Sequence, residues 1–450
     1  MSDLNFSIKW ERLDEGTVEE RACFGMLVAH CCDIYLTEGL DSYVDCSRKG
    51  PLVSGYHFAE WIAWNWWRLT TEPKPLNSKP EWDLAHRMST IGDGYLWPHI
   101  TIYSDRERTV LIAKPTQSQR GASFRFTTDM SFVVPTIQFE SAVDRYLGQI
   151  QSQLRLKSIP STNLDKIWEE LQAERADVDM TARRRLEALL GLDPDEDDSA
   201  FIEQLLTDAS YLGQDAIQEI AADHQGRIVQ NASSIKELAS RIGSSMSPVD
   251  MVSLTGFDPP QRDKVAAWRL GYRAAQVLRE QQKLGHDPLS NRRLAELSAV
   301  SDKVLDPSEN AFFSFCIDDE SGKSGKLVLR SKWESGRRFD LARLLGDRLT
   351  NGLHERLLPA TQTYTYRQKL QRAFAAELLC PFDALEEKLR GDYSSEARED
   401  AAHHFSVSER TVAAMLVNHG RLDRDCMFRD LEALDVVVAD GYSDLFKAQA

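Results

Sequence analysis

The segments RRFDLARLLGD, residues 337–347, and FAAELLCP, residues 374–381, decide the fold of the last part of this 450-residue chain. The apolar residues in and just after the first segment recur at the spacing of one helical face: Phe339, Ala342, Leu345 and Leu349. The second segment ends a helical pattern at a proline, where helices commonly stop. We therefore predict two helices, at about 338–350 and 365–379.

The surrounding elements predict a domain of mixed type from 263 to 425. A long helix is predicted at 263–285, and two strands follow at 312–319 and 326–332. A final helical pair at 394–419 has the outline of a helix-turn-helix.

In these residues the chain resembles the ImmA/IrrE family of zinc metallopeptidases. The segment 337–347 is similar to the family's RFTLAHELGH-type helix, and 374–381 is similar to its FAAELLMP-type helix. HFSVSERTV, residues 404–412, matches its closing element, and WRLGYRAAQVLRE, residues 268–280, fits its leading helix. The resemblance covers about residues 263–420, and it implies a zincin-like domain with a helix-turn-helix-like end.

The zinc-binding motif of the family is degenerate in this chain. In family members, HExxH places two histidines on one helical face for zinc, and its glutamate activates water. The matching positions here are Arg343, Leu344 and Asp347, and Glu377 matches the third ligand. An arginine stays protonated and has no lone pair for a metal. The resemblance therefore implies no zinc cofactor and no catalytic residues, with Glu377 as the only retained ligand position.

We predict that the Arg343 guanidinium replaces the metal cation between Asp347 and Glu377. Arg343 and Asp347 are four residues apart, so they share a helical face. Bidentate pairing would hold the two carboxylates together in a binding cleft. The alternative is that both residues are solvated surface charges. His354, just beyond the motif, is a further candidate for this cleft.

The first 137 residues predict an α+β domain. FSIKWE, residues 6–11, alternates apolar and polar side chains as a half-buried strand does, and further strands are predicted at 98–135. Between them, residues 56–70 predict a helix that is buried on most sides and rich in tryptophan: Trp61, Trp64, Trp66 and Trp67. A recognition surface is the alternative role for these tryptophans.

The middle of the chain predicts a helical domain at 138–242, because apolar residues recur there with a period of 3.6. Residues 243–262 are rich in Ser, Pro and Gly, which predicts a linker. Residues 426–450 are predicted to form a C-terminal tail. The whole chain is thus predicted to be α+β and multidomain.

Charge and cysteine usage narrow the classes of function. The formal net charge of −16 disfavours broad nucleic-acid binding unless a local basic patch overrides it. No stretch reaches the ~20 apolar residues of a membrane span, so no membrane partner is expected. Seven cysteines without a CxxC motif, and a polar start, favour a reducing cytoplasm.

The resemblance, with its degenerate motif, implies a non-catalytic, metallopeptidase-like regulatory or sensor protein that binds a protein or peptide partner. The resemblance adds a bacterial or phage setting of stress response, toxin–antitoxin systems or phage defence. An active zinc peptidase with displaced ligands is one alternative. A DNA-binding regulator that reads through Arg410 and Asn418 is another.

Overall fold

A computed structural model describes residues 4–75, 79–117, 123–196, 199–224, 229–306, 311–351 and 355–423. The chain divides into two compact units, which contain the described residues up to 196 and from 199 onward. Both units combine helices with antiparallel sheets. The predicted α+β, multidomain class is therefore confirmed.

The first unit holds ten strands and seven helices within its described residues. The strands are β1 (Leu4–Trp10), β2 (Phe24–Cys31), β3 (Ile34–Tyr35), β4 (Gly39–Asp41), β5 (Cys46–Arg48), β6 (Leu52–Ser54), β7 (His99–Ser104), β8 (Arg108–Lys114), β9 (Phe124–Phe126) and β10 (Met130–Pro135). The helices are α1 (Val18–Ala22), α2 (Gly55–Trp64), α3 (Trp66–Thr71), α4 (Pro80–His86), α5 (Thr136–Leu156), α6 (Asn163–Ala176) and α7 (Val178–Leu189).

The core of the first unit forms between α5 and the sheet that contains β1 and β2. The predicted alternation of β1 is present, because Leu4, Phe6 and Ile8 are buried while the intervening residues are more exposed. The Phe6 ring lies 6.2 Å from Phe139 and 6.5 Å from Tyr146, both on α5. The predicted boundary at 137/138 is therefore wrong, since the first helix of the predicted helical domain completes the strand unit.

The tryptophan-rich segment forms two helices that meet at Asn65. Trp66 and Trp67 are buried, as predicted, and Trp67 donates its indole N–H to Glu174 at 2.7 Å. Trp64 is 56% exposed, so the expectation of burial fails for this residue. The segment therefore serves mainly as core.

The second unit holds four strands and ten helices within its described residues. The strands are β11 (Ser244–Met246), β12 (Ser314–Asp318), β13 (Gly325–Val328) and β14 (Leu357–Ala360). The helices are α8 (Ser199–Leu212), α9 (Gln214–Ala222), α10 (Ala232–Ile242), α11 (Ala267–Gln281), α12 (Asn291–Leu297), α13 (Glu334–Asn351), α14 (Tyr366–Leu379), α15 (Phe382–Leu389), α16 (Ser395–Phe405) and α17 (Glu409–Asn418).

The predicted linker at 243–262 is part of the second unit. Its first residues form β11, which pairs antiparallel with β13 in a sheet of order β11-β13-β12-β14. Met251, Leu254 and Phe257 pack on the apolar core beyond this strand. The Ser, Pro and Gly content suggested a linker, but these apolar residues tie the segment to the core. The predicted boundary at 242/243 is therefore also wrong, and the predicted tail at 426–450 lies outside the described residues.

The three long helices of the second unit pack closely, with α14 in contact with both α11 and α13. Two glycines allow this approach. A Cβ atom at Gly271 of α11 would lie 2.3 Å from the carbonyl oxygen of Leu370. A Cβ atom at Gly346 of α13 would lie 2.4 Å from the Phe374 ring. The polar face of α13 is thereby pressed against α14.

None of the helices in the described segments has the length and apolar composition that a membrane span requires.

Candidate functional site

Helix α13, which the sequence analysis compared with a zinc-binding helix, buries most of its charged residues. Arg343 is 5% exposed and Asp347 is 0% exposed. The alternative that they are solvated surface charges is therefore wrong. Leu344, which the resemblance aligned with a general base, belongs to the apolar core of the unit. Its side chain contributes packing.

Arg343 is held by partners on its own helix, on α14 and in the loop between β14 and α14. Its Nη1 donates to Asp340 Oδ1 at 3.4 Å, and its Nη2 donates to the carbonyl oxygen of Thr361 and to Gln368 Oε1, each at 2.6 Å. Asp340 also accepts from the Ser314 hydroxyl at 2.6 Å. Burial lowers the pKa of Arg343, and the Asp340 carboxylate opposes that effect.

The cation that holds Asp347 is Arg367 of α14. Its Nε and Nη2 donate to the Asp347 carboxylate at 2.9 and 2.6 Å, and its Nη1 donates to Glu355 at 2.7 Å. Asn351 also donates to Asp347. The predicted bidentate pairing between Arg343 and Asp347 is therefore wrong. A buried arginine does bind the Asp347 carboxylate, but it is Arg367.

Glu377 does not join this network. Its Oε2 accepts from the backbone N–H of Phe382 at 3.0 Å. Burial raises the pKa of Glu377 to about 8, while that backbone hydrogen bond and the Arg279 charge act to lower it. Gln368 and Glu377 are nine residues apart, which is about two and a half helical turns, so they lie on opposite faces of α14. The predicted cleft of Arg343, Asp347 and Glu377 is consequently not assembled.

The sequence reasoning missed Asp340, Arg367, Gln368 and Arg372. A signal for three of them was available in α14, where polar side chains recur on one face: Arg367, Gln368, Gln371 and Arg372. Three of these four are buried. A polar face on a buried helix has to meet polar partners, because an unpaired buried polar group is costly. His354 lies outside the described residues.

The side chains in this region do not fit a zinc ion. Arg343 and Arg367 carry no lone pair for a metal, and the two carboxylates at the predicted ligand positions lie in separate contacts. Among the described residues, no group of three or more His, Cys, Asp or Glu side chains is placed to hold a metal ion.

The predicted final helical pair is present as α16 and α17. Ser406 ends α16 in the left-handed conformation with φ of 54°, and the Ser408 side chain caps α17. Ala402, Val412 and Leu416 are buried between the helices and the core. The pair therefore contributes packing, with Arg410 exposed at the start of α17.

Comparison of the chain with family models, with curated proteins and with solved structures finds no match in any of the three.

Proposed function

We propose that this chain is a non-catalytic, metallopeptidase-like regulatory or sensor protein that binds a protein or peptide partner. The observation that carries the proposal is the burial of Arg343 and Arg367 where the family resemblance places zinc chemistry. Permanently protonated side chains fill this region, so no water-activating centre can form there. The setting that we propose is a bacterial or phage stress response, toxin–antitoxin system or phage defence, in a reducing cytoplasm.

The buried ion pairs support a role that depends on a fixed shape of the domain and not on a catalytic centre. Arg348 makes two hydrogen bonds of 2.7 Å to Asp318 of β12, and Arg367 makes its pair with Asp347. Each pair joins two elements of the unit. Buried pairs of this kind lock a single arrangement because losing one partner leaves an isolated charge. A rigid domain without a catalytic centre suits recognition of a partner.

Metal analysis of the purified full chain tests the absence of peptidase chemistry. The protein is incubated with zinc chloride, desalted, and assayed for bound zinc and for hydrolysis of an unfolded protein substrate. We expect clearly substoichiometric zinc and no hydrolysis. One zinc per chain, with hydrolysis that is lost in Glu377→Ala and kept in the exposed control Glu387→Ala, would overturn the proposal in favour of an active peptidase.

The binding role needs a defined partner. Proteins encoded beside the gene are purified and titrated against the full chain by calorimetry, and we expect saturable binding of one of them. If none binds, while DNA from the same locus binds in a salt-sensitive manner that Arg410→Gln abolishes, the DNA-binding alternative replaces this proposal.

A further inference from the structure

Three arginines, Arg330, Arg343 and Arg372, contact the loop at 361–365, between β14 and α14. Arg343 Nη2 and Arg372 Nη2 both donate to the carbonyl oxygen of Thr361, at 2.6 and 3.2 Å. In the amide orientation that satisfies both groups, Gln362 accepts from both terminal nitrogens of Arg330 at 2.8 Å. A further arginine, Arg410, lies on α17, which packs against α14, and its charge acts to lower the pKa of Arg372.

Three carboxylates lie beside the loop, of Asp340, Asp223 and Glu219, and Glu219 accepts from the Thr365 hydroxyl at 2.7 Å. Asp340 pairs with Arg343, but Arg330, Arg372 and Arg410 form no ion pair with any carboxylate of the described residues. Asp223 lies near Arg372, where it accepts from the backbone N–H of Gln362 at 3.1 Å. Arg330, Arg372 and Arg410 therefore lack a carboxylate partner within the described segments, in a chain whose net charge is −16.

The arginines also retain unused hydrogen-bond donors. Arg343 Nε and Arg372 Nη1 are buried and have no acceptor. Burial, followed by the Arg343 and Arg410 charges, lowers the pKa of Arg372 to about 10, so it is cationic at neutral pH. Buried donors without acceptors and adjacent like charges are both unfavourable, and an added anion relieves both.

We propose that Arg330, Arg372 and Arg410 form a binding site for a phosphoryl group of a small ligand. The buried Arg343 is the fourth arginine of this site. The planar guanidinium group binds two phosphate oxygens at once. A phosphoryl group carries about two negative charges and three acceptor oxygens, which suits three unpaired arginines better than a single carboxylate does. The Tyr364 ring, 5.2 Å from the Arg372 guanidinium, flanks the site.

This inference goes beyond the proposed function and does not depend on it. A zinc-binding peptidase and a non-catalytic binding protein could each carry such a site. The metal analysis and the phosphoryl titration therefore succeed or fail separately.

Calorimetric titration of the full chain tests the site, with sodium phosphate, sodium pyrophosphate and ATP as separate probes at low ionic strength. We expect saturable binding of at least one probe. Binding of pyrophosphate or phosphate identifies the phosphoryl group itself as the ligand, and binding of ATP alone identifies a nucleotide. Because one charge-assisted contact is lost, affinity should fall about tenfold in Arg410→Gln.

Two further variants make the test specific. Arg372→Gln should weaken binding at least as much as Arg410→Gln. Arg292→Gln is the matched control, because this exposed arginine on α12 pairs with Glu296 away from the cluster. Arg410 is exposed, so its variant is expected to keep the native circular dichroism spectrum. No saturable binding of any probe, or wild-type affinity in both Arg372→Gln and Arg410→Gln, would overturn the proposal.

Discussion

Arg367 binds Asp347 through two nitrogen atoms, at 2.9 Å from Nε and 2.6 Å from Nη2, and so joins α14 to α13. Both side chains are almost completely buried. Burial acts to lower the pKa of Arg367, but the neighbouring Asp347 and Glu355 carboxylates raise it above its ordinary value. Water reaches neither charge, so each depends on the other for its stability.

Removal of Arg367 should destabilise the second unit strongly. In Arg367→Met the Asp347 carboxylate loses its cation in a buried position, which costs about 3–5 kcal/mol of unfolding free energy. The midpoint of urea unfolding, followed by circular dichroism, measures this loss. Addition of Asp347→Asn should recover part of it, because the isolated charge is then gone.

The control for this measurement is Arg292→Met, which removes a solvent-exposed partner of Glu296. Exposed pairs contribute little because water already solvates both charges. We expect no measurable change in this variant. Equal midpoints for Arg367→Met and wild type would show that the buried pair does not stabilise the fold.

The stability of the protein should fall between pH 5 and pH 8 because of Glu377. Burial raises the pKa of Glu377 in the folded state from 4.5 to about 8. Between these values the unfolded state has released the proton that the folded state keeps, so rising pH favours unfolding. The loss is on the order of 3–5 kcal/mol across this window, and above the folded pKa it no longer grows.

Glu377→Gln isolates this contribution, since it removes the titrating group and keeps a similar shape. Unfolding free energies of wild type and variant are compared at pH 5, 6, 7 and 8. The difference should grow in favour of the variant as pH rises. Parallel curves would mean that Glu377 ionises near its ordinary pKa in the folded protein.

Side chains added at the close helix contacts should destabilise the second unit. The Cβ atom of Gly271→Ala would collide with the backbone carbonyl oxygen of Leu370. The Cβ atom of Gly346→Ala would collide with the Phe374 ring. Overpacking of this kind costs about 1–3 kcal/mol. We expect the larger loss for Gly271→Ala, because backbone yields less readily than a side chain.

Gly148→Ala is the matched control for the glycine variants. Gly148 lies within α5, and a Cβ atom there would meet nothing within 4 Å. Alanine favours the helix, so this variant should be more stable than wild type by roughly 0.5–1 kcal/mol. Thermal unfolding of the three variants measures their order of stability. Equal effects at all three positions would contradict the expected order.

Thr365 should stabilise the start of α14 through its hydroxyl group. The hydroxyl accepts from the backbone N–H of Gln368 at 3.3 Å and donates to Glu219 at 2.7 Å. Thr365→Val keeps the shape but loses both bonds, and we expect a cost of about 2–4 kcal/mol. Thr365→Ser retains the hydroxyl group and should lose less. Equal urea midpoints for the two variants would exclude this role.

Local patterns in the sequence predicted an element well where apolar residues recur along it with the period of a strand or a helix. The alternation of β1 and the helical period of α13 and α14 depend only on neighbours within a few residues. The helix α15 and the strand β14 were not predicted. They have eight and four residues, so each offers few repeats of a period.

The site was predicted less well, because its contacts join residues on different elements. The sequence placed Glu377 beside Arg343, yet the rotation of α14 brings Gln368 there and turns Glu377 to the other face. That rotation follows from packing at Gly271 and Gly346, which no local pattern encodes.

The sequence by itself determined the α+β fold class and the helix that carries Arg343, Leu344 and Asp347, because both depend on residue type and short-range spacing. Only the tertiary structure decided which charges pair, where the two units divide, and how Arg330, Arg343 and Arg372 converge on one loop. The physical reason is that charge pairing depends on distances across elements, and those distances are set by the packing of helices against the sheet and each other.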